Sequence, residues 1–404
     1  MAKTQDHLKE STGPIRPDTS GVSAEDFELF RPEHEELRKA VRAFVEKELL
    51  PHAEEWERAE EFPKETFKRV GDLGFFGLKY AEEYGGSGPD YLADAVVTEE
   101  FAGCGSGGVS ACLGAHKDLA TLYVSNFGSP EQQKRWLVPS IAGEIVGALA
   151  VTEPDAGSDV ANVKTRARKD GSDWIINGTK TFITNGAWAD YVVVAAKTDP
   201  QGGHEGLTLF VVETDSPGYE ARKLKMLGWR SGQTGELAFS DVRVPEVNIV
   251  GEVGGAFKAI MHNFAWERLI MALGAVAGAQ RVYQLAKEYA LDRNAFGRPV
   301  GKFQVWRHRF ADIATRIEAA RAMTYNALRL YAAGENPIRE VSMAKLYACE
   351  LAFHVADECV QIHGGYGYTT EFAAERALRD ARLGPIGGGT SEIMKEIIGK
   401  TYGL

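Results

Sequence analysis

The spacing of apolar residues changes twice along the chain and predicts three blocks. Residues 27–145 carry apolar side chains at helical intervals, and a typical stretch is "PEHEELRKAVRAFVEKELLPHAEEW". The apolar stripe of this stretch, which would face a core, consists of Leu37, Val41, Phe44, Val45 and Leu49. Pro51 is expected to end or kink the helix, because a proline cannot donate the helical hydrogen bond. The first block is therefore predicted to be an N-terminal helical domain.

Residues 146–252 favour strands instead. In "DWIINGTKTFITNG" two short runs of strand-forming residues flank Asn177-Gly178, a dipeptide typical of tight turns, and this pattern predicts a β-hairpin. The runs "YVVVAAKTD" and "LTLFVVETD" are typical of buried strands and are separated by the turn-like "PQGGHEG". Because "GELAFSDVRVPEVNIVG" adds more strand, the block is predicted to be a middle, mostly antiparallel β domain.

The helical repeat returns over residues 253–404. The predicted helices are 256–292, 303–333, 338–364, 371–382 and 390–400. Helices, then strands, then long helices indicate an α+β protein with three lobes, because a parallel sheet would need alternating elements. The last block is expected to form an up-and-down four-helix bundle as a C-terminal helical domain. Residues 1–26 are polar and are expected to form a disordered or extended tail.

Charge and hydropathy exclude some classes of function. Lys and Arg number 46 against 57 Asp and Glu, and the formal net charge of −11 argues against a nucleic-acid-binding protein. No run of about 20 apolar residues is evident, so no membrane span is expected. The tail lacks the apolar segment of a signal peptide.

The cysteines indicate a reducing compartment. Cys104, Cys112, Cys349 and Cys359 show neither CxxC pairing nor the spacing of a metal site. We therefore expect reduced, buried thiols and no bound metal in a cytoplasmic protein, since disulfides form mainly in oxidising compartments.

The entry to the β block, "AVTEPDAGSDVANVKTRA", gathers a threonine, glycine and serine turn sites and acidic residues into one loop. Backbone N–H groups and hydroxyls in such a loop can bind a polar ring edge or a phosphate. An ordinary turn that is capped by Ser158 and Asp159 explains the same residues. The loop alone therefore leaves a ligand site and a plain turn open.

Four separated stretches together resemble the acyl-CoA dehydrogenase family. They are the TEP-AGSD segment, "TFITNG", "RNAFGRPVGKFQ" and "QIHGGYGYTTEFAAERALRDAR", in the order and spacing of that family. The resemblance extends from about residue 27 to the end of the chain. It implies the acyl-CoA dehydrogenase fold, FAD as cofactor, an acyl-CoA substrate and a homotetramer that is built as a dimer of dimers.

The resemblance assigns cofactor contacts to matching positions. The loop residues that are expected to contact the flavin are Val151, Thr152, Gly157 and Ser158. Ser158 is also expected near the acyl-CoA. Phe182 and Thr184 would lie against the isoalloxazine ring, where many relatives have Trp in place of Phe182. N–H and O–H donors near this ring would favour its reduction, because negative charge accumulates there.

A second set of residues would reach the FAD of a neighbouring subunit. The set comprises Arg293, Phe296, Gln304, Gln361, Gly364 and Gly365. Arginine suits a pyrophosphate because its guanidinium is planar and permanently charged, and glycine lets a backbone approach one closely. From the residues alone, Arg293 is equally explained as a cation at a helix C-terminus, and Gln361 as a polar residue at a helix end.

The catalytic base is missing from the position where most of the family carries it. A Glu-Gly-Thr motif precedes the last helix in most relatives, whereas this chain has Gly388, Gly389 and Thr390. A smaller branch, which includes isovaleryl-CoA and long-chain acyl-CoA dehydrogenases, carries the glutamate on a helix of the third domain, directly before an Arg. The stretch "NFAWERLIMALGAVAGAQ" matches that branch, so Glu267, which precedes Arg268, is predicted to be the base.

The neighbours of Glu267 along the helix suit a base. Small and apolar residues follow on the same face, namely Met271, Gly274, Ala275 and Gly278. They would partly dehydrate the carboxylate and raise its basicity. The alternative is a Glu-Arg pair on a solvent-exposed face, but the apolar neighbours Trp266, Leu269 and Ile270 leave little of such a face.

The glycine run in "GPIGGGTSEIMKEIIGK" would make room for a side chain from another helix. By resemblance, the Gly388 N–H would bind the thioester oxygen. Further predicted substrate contacts are Ser106, Arg268 and Gly387. Thr390 is a candidate N-cap with Glu392 in the favourable first turn, and both are also predicted cofactor contacts. A P-loop is not indicated, because no Gly-Lys-Ser/Thr and no upstream strand are present.

The implied function is FAD-dependent α,β-dehydrogenation of an acyl-CoA to the trans-2-enoyl thioester, with electrons passed to an electron-transferring flavoprotein. Small residues between Gly103 and Gly114 indicate either a deep acyl pocket or tight helix packing, and the resemblance of "PIGGGTSEIMKE" to the long-chain branch favours a medium or long acyl chain. A flavin oxidase of the same fold and a branched or carrier-protein-bound acyl group stay open. The missing glutamate adds a further alternative, a non-catalytic acyl-thioester-binding protein.

Overall fold

The computed structural model describes residues 29–404, and the predicted tail at 1–26 lies outside them. Helices fill the first part of the described chain. They are α1 (Pro32–Phe44), α2 (Ala53–Ala59), α3 (Glu65–Asp72), α4 (Tyr91–Phe101), α5 (Gly107–Ala115), α6 (Thr121–Phe127), α7 (Pro130–Gln132) and α8 (Val138–Ile141). Between α1 and α2 the chain passes through a π-helical turn and then a 3-10 turn that contains Pro51. The proline therefore kinks the helical path, since it lies in the first turn of a new segment, where its missing N–H is tolerated.

Strands form the middle of the chain. They are β1 (Gly147–Ala150), β2 (Arg166–Asp170), β3 (Asp173–Ile183), β4 (Tyr191–Lys197), β5 (Leu207–Glu213), β6 (Tyr219–Lys223), β7 (Gly235–Pro245) and β8 (Ile249–Val250). Their order across the sheet is β6-β7-β3-β2-β4-β5-β8, and β1 pairs with β4. Pairing is antiparallel except where β4 meets β1 and β2. The prediction of a mostly antiparallel β domain is confirmed.

The hairpin that was predicted at Asn177-Gly178 is wrong. Both residues lie inside β3, where a bulge interrupts the pairing with β7. The Asn177 side-chain amide donates to Asp241 Oδ1 at 2.9 Å, and the Asp241 N–H donates to Asn177 Oδ1 at 2.9 Å. A Cβ at Gly178 would lie 2.4 Å from Thr165 Oγ1. Glycine is thus required by a close approach of backbone and not by a turn, and the chain reverses at residues 171–172.

The last part of the chain is helical again. It contains α9 (Ala256–Asp292), a short hairpin of β9 (Asn294–Ala295) and β10 (Arg298–Pro299), α10 (Gln304–Ala332), α11 (Ile338–His363), α12 (Ala373–Ala381) and α13 (Ser391–Thr401). These helices confirm the five that the apolar periodicity predicted. The four cysteines are free and buried, as expected.

Helix α9 is the central helix of the protein. It packs against α4, α10 and α11. One hydrophobic core cluster joins all three blocks, since it includes Tyr123 from α6, Val193 from β4 and Trp266 from α9. Contrary to the expectation from the sequence, α9 is long and apolar enough to cross a membrane by length and composition. The core helix of a soluble protein meets the same criterion, so this property alone does not indicate a membrane span.

Candidate active site

Glu267 is buried on α9, with 8% of its surface exposed. The Tyr123 hydroxyl donates a hydrogen bond to Glu267 Oε1 at 2.9 Å. Burial raises the pKa of Glu267 to about 8, while the Tyr123 hydroxyl and the Arg268 charge act in the opposite direction. Burial also excludes the alternative of a solvent-exposed Glu-Arg pair. A carboxyl group whose pKa lies near neutrality is suited to abstracting a proton at physiological pH.

The glycine loop, residues 384–390, lies against the same face of α9. Gly388 and Gly389 adopt φ angles of +62° and +96°, which favour glycine. A Cβ at Gly388 would lie 2.3 Å from the sulfur of Met271. Met271 is one helical turn beyond Glu267 on α9, so the loop passes beside the carboxyl group. The structure therefore brings Glu267 and Gly388 into one site.

The amide of Gly388 is available to a ligand. Among the described residues, the Gly388 N–H donates to no acceptor, whereas the Gly387 N–H donates to Leu383 O at 2.9 Å. Gly388 is also solvent-exposed. An exposed N–H beside a buried carboxyl group is the arrangement that proton abstraction next to a carbonyl requires, because the donor stabilises the developing negative charge on oxygen.

Lys345 of α11 holds the glycine loop in place. Its side chain is fully buried, and Nζ donates to Gly384 O at 2.9 Å and to Gly389 O at 2.6 Å. Burial lowers the pKa of this amino group. The side chain of Thr390 accepts from the Ile393 N–H at 3.3 Å and caps α13, which confirms the predicted N-cap. Both ends of the loop are thus anchored, and Glu392 is exposed in the first turn of α13.

Replacement of Gly388 by Ala is expected to slow flavin reduction by an acyl thioester about a hundredfold, because a misplacement of about 1 Å in a reacting geometry has an effect of that size. The new methyl group would clash with Met271 and would adopt a left-handed backbone conformation. Stopped-flow absorbance measures the rate. The comparison variant is Gly387→Ala, whose Cβ would meet Met271 at an ordinary 3.6 Å, and we expect only a few-fold change. Equal rates for the two variants would contradict the steric argument.

Arg268 is a buried cation beside Glu267 and the loop. It retains 9% exposure, and its Nε has no hydrogen-bond partner. The guanidinium lies 4.9 Å from the ring centroid of Phe264, and among residues 29–404 no carboxylate forms an ion pair with it. Burial lowers its pKa. A buried cation without a partner is costly unless a ligand supplies an acceptor, which fits the prediction that Arg268 contacts substrate.

The loop that was predicted to contact the flavin is fastened to β3. Lys180 is fully buried and donates to Val151 O at 2.9 Å and to Glu153 Oε1 at 2.8 Å. The Thr181 N–H donates to Thr152 O at 3.0 Å. Val151 packs against the core cluster that contains Trp266. The loop and the end of β3 therefore form one continuous surface, which packs through Val151 on the central core cluster.

This surface fits a planar, polar ring. The N–H groups of Gly157 and Ser158 donate to no acceptor among the described residues, and both residues are exposed. Phe182 is 62% exposed and has a φ of +59°, which is rare for a residue other than glycine. Thr184 lies two residues further on and is partly exposed. Free donors and an exposed aromatic ring suit the binding of a flavin.

The second predicted cofactor set lies elsewhere. The six residues Arg293, Phe296, Gln304, Gln361, Gly364 and Gly365 are all exposed around the far end of α9. The Arg293 guanidinium lies 5.8 Å from the ring centroid of Tyr366. Because a helix rises 1.5 Å per residue, Arg293 is about 39 Å along α9 from Glu267. These residues therefore do not share a site with Glu267 within one chain.

The side chain of Ser106 is engaged within the protein. It is buried and caps α5, and its hydroxyl lies 2.7 Å from that of Ser231. These contacts occupy the side chain, so its predicted role as a substrate contact stays a prediction.

A buried cluster of charges, which the sequence did not suggest, supports the segment that carries Glu267. Lys79 and Lys117 each pair with both Asp94 and Asp118, and the four side chains are fully buried. The indole N–H of Trp266 donates to Asp118 Oδ1 at 2.8 Å. The residue before Glu267 is thus fixed to the cluster. Tyr123, Lys180 and Lys345 were also missed, because their partners are distant in sequence.

Comparison with known proteins decides the family. Models described as the N-terminal, middle and C-terminal domains of acyl-CoA dehydrogenase match residues 31–144, 148–242 and 254–403. The chain belongs to the acyl-CoA dehydrogenase family. It is therefore a flavin-dependent oxidoreductase with FAD as its cofactor.

Several acyl-CoA dehydrogenases are similar over most of the chain. The mitochondrial long-chain specific enzyme of Sus scrofa is 41% identical over 377 residues, which are 92% of this chain and 87% of that protein. The mitochondrial isovaleryl-CoA dehydrogenase of Oryza sativa subsp. japonica is 38% identical over 375 residues, 92% of this chain and 91% of that protein. A crystal structure of acyl-CoA dehydrogenase from Geobacillus kaustophilus has a TM-score of 0.90 at 41% identity, covering 93% of this chain and 99% of that chain.

Proposed function

We propose that this acyl-CoA dehydrogenase converts a medium- or long-chain acyl-CoA to the trans-2-enoyl-CoA and delivers the electrons to an electron-transferring flavoprotein. The observation that carries the proposal is the pairing of a buried carboxyl, Glu267, with the free N–H of Gly388 on one face of α9. This arrangement supports chemistry and argues against a binding protein without catalysis.

Three residues of the chain have separate roles in the reaction. The Gly388 N–H donates to the thioester oxygen and makes the adjacent C–H bond more acidic. Glu267 takes the proton from that carbon, and the electron pair of the broken C–H bond becomes the second bond between the two carbons. FAD supplies the acceptor for the hydride that leaves the next carbon. Arg268, a cation beside the carboxyl, stabilises the ionised base before it accepts the proton.

Open space along α9 supports a medium or long acyl chain. Gly274 and Gly278 continue the face that carries Glu267 and Met271, and a Cβ at either would meet nothing within 4 Å. The same is true of Gly114 on α5 and of Gly103. The distance along α9 from Glu267 to Gly278 is about 16 Å at the helical rise per residue. The small residues leave room beside α9 that an extended apolar chain could use.

A homo-oligomer is part of the proposal. The second group of predicted cofactor contacts lies at the far end of α9, about 39 Å along the helix from Glu267. A neighbouring subunit that supplied the second group would complete each FAD site. This argument supports a homo-oligomer, and the tetramer is what the sequence resemblance implies.

The test is an anaerobic titration of the FAD-loaded protein with acyl-CoA thioesters of increasing length and with branched and carrier-protein-bound acyl groups. We expect bleaching of the flavin absorbance to be fastest with a medium or long straight-chain acyl-CoA. Preference for a short, branched or carrier-bound group would overturn the substrate assignment. Reoxidation is then followed in air with and without an electron-transferring flavoprotein. Rapid reoxidation by air alone would favour an oxidase.

A further inference from the structure

We propose that Tyr123 is a positioning residue that fixes one carboxylate oxygen of Glu267 and leaves the other free to face the substrate. This inference rests on the proposed role of Glu267 as the base. Tyr123 lies on α6, in the N-terminal helical block, whereas Glu267 lies on α9. The contact therefore joins two domains at the reacting group.

The Tyr123 hydroxyl is dedicated to Glu267. The side chain is fully buried in the core cluster that also holds Trp266 and Leu269. Among the described residues, its hydroxyl makes one hydrogen bond, the donation to Glu267 Oε1 at 2.9 Å. The packed ring cannot move away without opening the core, so the hydroxyl keeps a fixed position relative to the carboxyl.

The second carboxylate oxygen is left available. Glu267 Oε2 accepts no hydrogen bond from residues 29–404. The oxygen is not fully buried either. The exposed 8% of Glu267 accordingly includes this oxygen. A carboxylate that is held at one oxygen and open at the other presents a lone pair in a fixed direction, which is what a general base needs.

Two charged side chains and the Tyr123 hydroxyl act on the pKa of Glu267, and among them Tyr123 forms a hydrogen bond to the carboxyl. Burial raises the pKa of the carboxyl to about 8; the Tyr123 hydroxyl and Arg268 lower it, and Asp118 raises it. The charge of Asp118 is balanced by Lys79 and Lys117. The hydroxyl donates to the ionised form of Glu267, so its removal makes the base harder to ionise. The proton-abstracting fraction then falls at a given pH below the new pKa.

The test compares Tyr123→Phe with wild type in the FAD-loaded protein. The rate of flavin reduction by the preferred acyl-CoA is measured against pH, and we expect the wild-type rate to fall as pH drops through about 8. In Tyr123→Phe this fall should move to higher pH by about one unit or more, because a hydrogen bond to a charged group has an effect of that size. Incorporation of 3-fluorotyrosine at position 123, a stronger donor of nearly equal shape, should move it to lower pH.

A second readout does not depend on turnover. The infrared carbonyl band of the protonated Glu267 carboxyl, assigned as the band that Glu267→Gln abolishes, is titrated in wild type and in both position-123 variants. Its midpoint should shift in the same directions as the rate profile. The matched control is Tyr191→Phe, another fully buried tyrosine, whose hydroxyl lies 3.1 Å from that of Ser140 and does not contact Glu267. Neither midpoint should shift in this control.

The outcomes separate the two claims. If the wild-type flavin is not reduced by any thioester, the proposed function fails, while the infrared titration still tests the contact between Tyr123 and Glu267. If wild type is reduced and both midpoints are the same in wild type, Tyr123→Phe and the fluorotyrosine protein, Tyr123 serves packing alone and the inference is overturned. Should Tyr123→Phe not fold, the fluorotyrosine protein decides the matter by itself.

Discussion

Replacement of Glu267 by Gln is expected to stop flavin reduction by acyl-CoA almost completely, with a loss of about a thousandfold or more in rate, because positioned general bases contribute on that scale. The amide keeps the shape of the side chain and can still accept from the Tyr123 hydroxyl, but it cannot take a proton. FAD content and affinity for a thioester should stay near wild type. Anaerobic stopped-flow absorbance and a ligand titration measure these quantities.

The control for this prediction is Glu350→Gln, which neutralises an exposed carboxylate of α11 that pairs with Lys395. That variant should reduce its flavin at the wild-type rate. Turnover by Glu267→Gln at a substantial fraction of that rate would show that Glu267 is not the base and that another acidic residue takes the proton. Loss of FAD from the variant would instead indicate a structural function for the carboxyl group.

Replacement of Lys79 by Met should destabilise the protein by about 3–5 kcal/mol, because it leaves a buried carboxylate without its counter-charge. Lys79 is fully buried and pairs with Asp94 at 3.0 Å and with Asp118 at 2.7 Å. In the variant, Lys117 alone would face both acids. Urea denaturation of the FAD-loaded protein, followed by tryptophan fluorescence, measures the change.

A second variant tests whether charge imbalance is the cause. Lys79→Met combined with Asp94→Asn leaves one lysine, Lys117, and one aspartate, Asp118, so the cluster is neutral again. We expect the double variant to be more stable than Lys79→Met alone, although each change removes buried hydrogen bonds. If the two losses simply add, the destabilisation comes from packing and not from an unpaired charge.

The helices were predictable from the sequence because local periodicity determines them. The five C-terminal helices follow from apolar spacing, and each bound lies within two residues of the structure. The hairpin at Asn177-Gly178 was predicted wrongly because the same dipeptide also suits a bulge. The side chain of Asp241, 64 residues away, satisfies Asn177 inside the strand. Local sequence does not contain that partner.

The site was predictable only in part, for a similar reason. Glu267 was identified because a resemblance and an apolar helix face pointed to it. Tyr123 was not, since the contact spans 144 residues and joins separate domains. Lys79 lies in "GLKYAEEY", a stretch that looks like an ordinary polar surface until three distant residues close around it. Long-range pairing of polar groups leaves no periodic signal.

Met271 limits the side chains that position 388 can accommodate. Its sulfur occupies the space that a side chain at position 388 would enter, at 2.3 Å from a Cβ built there. A glutamate at position 388 would therefore have to displace the flexible end of the Met271 side chain and adopt a left-handed backbone conformation. Return of the carboxylate to the loop is therefore coupled to the conformation or the size of the side chain at position 271.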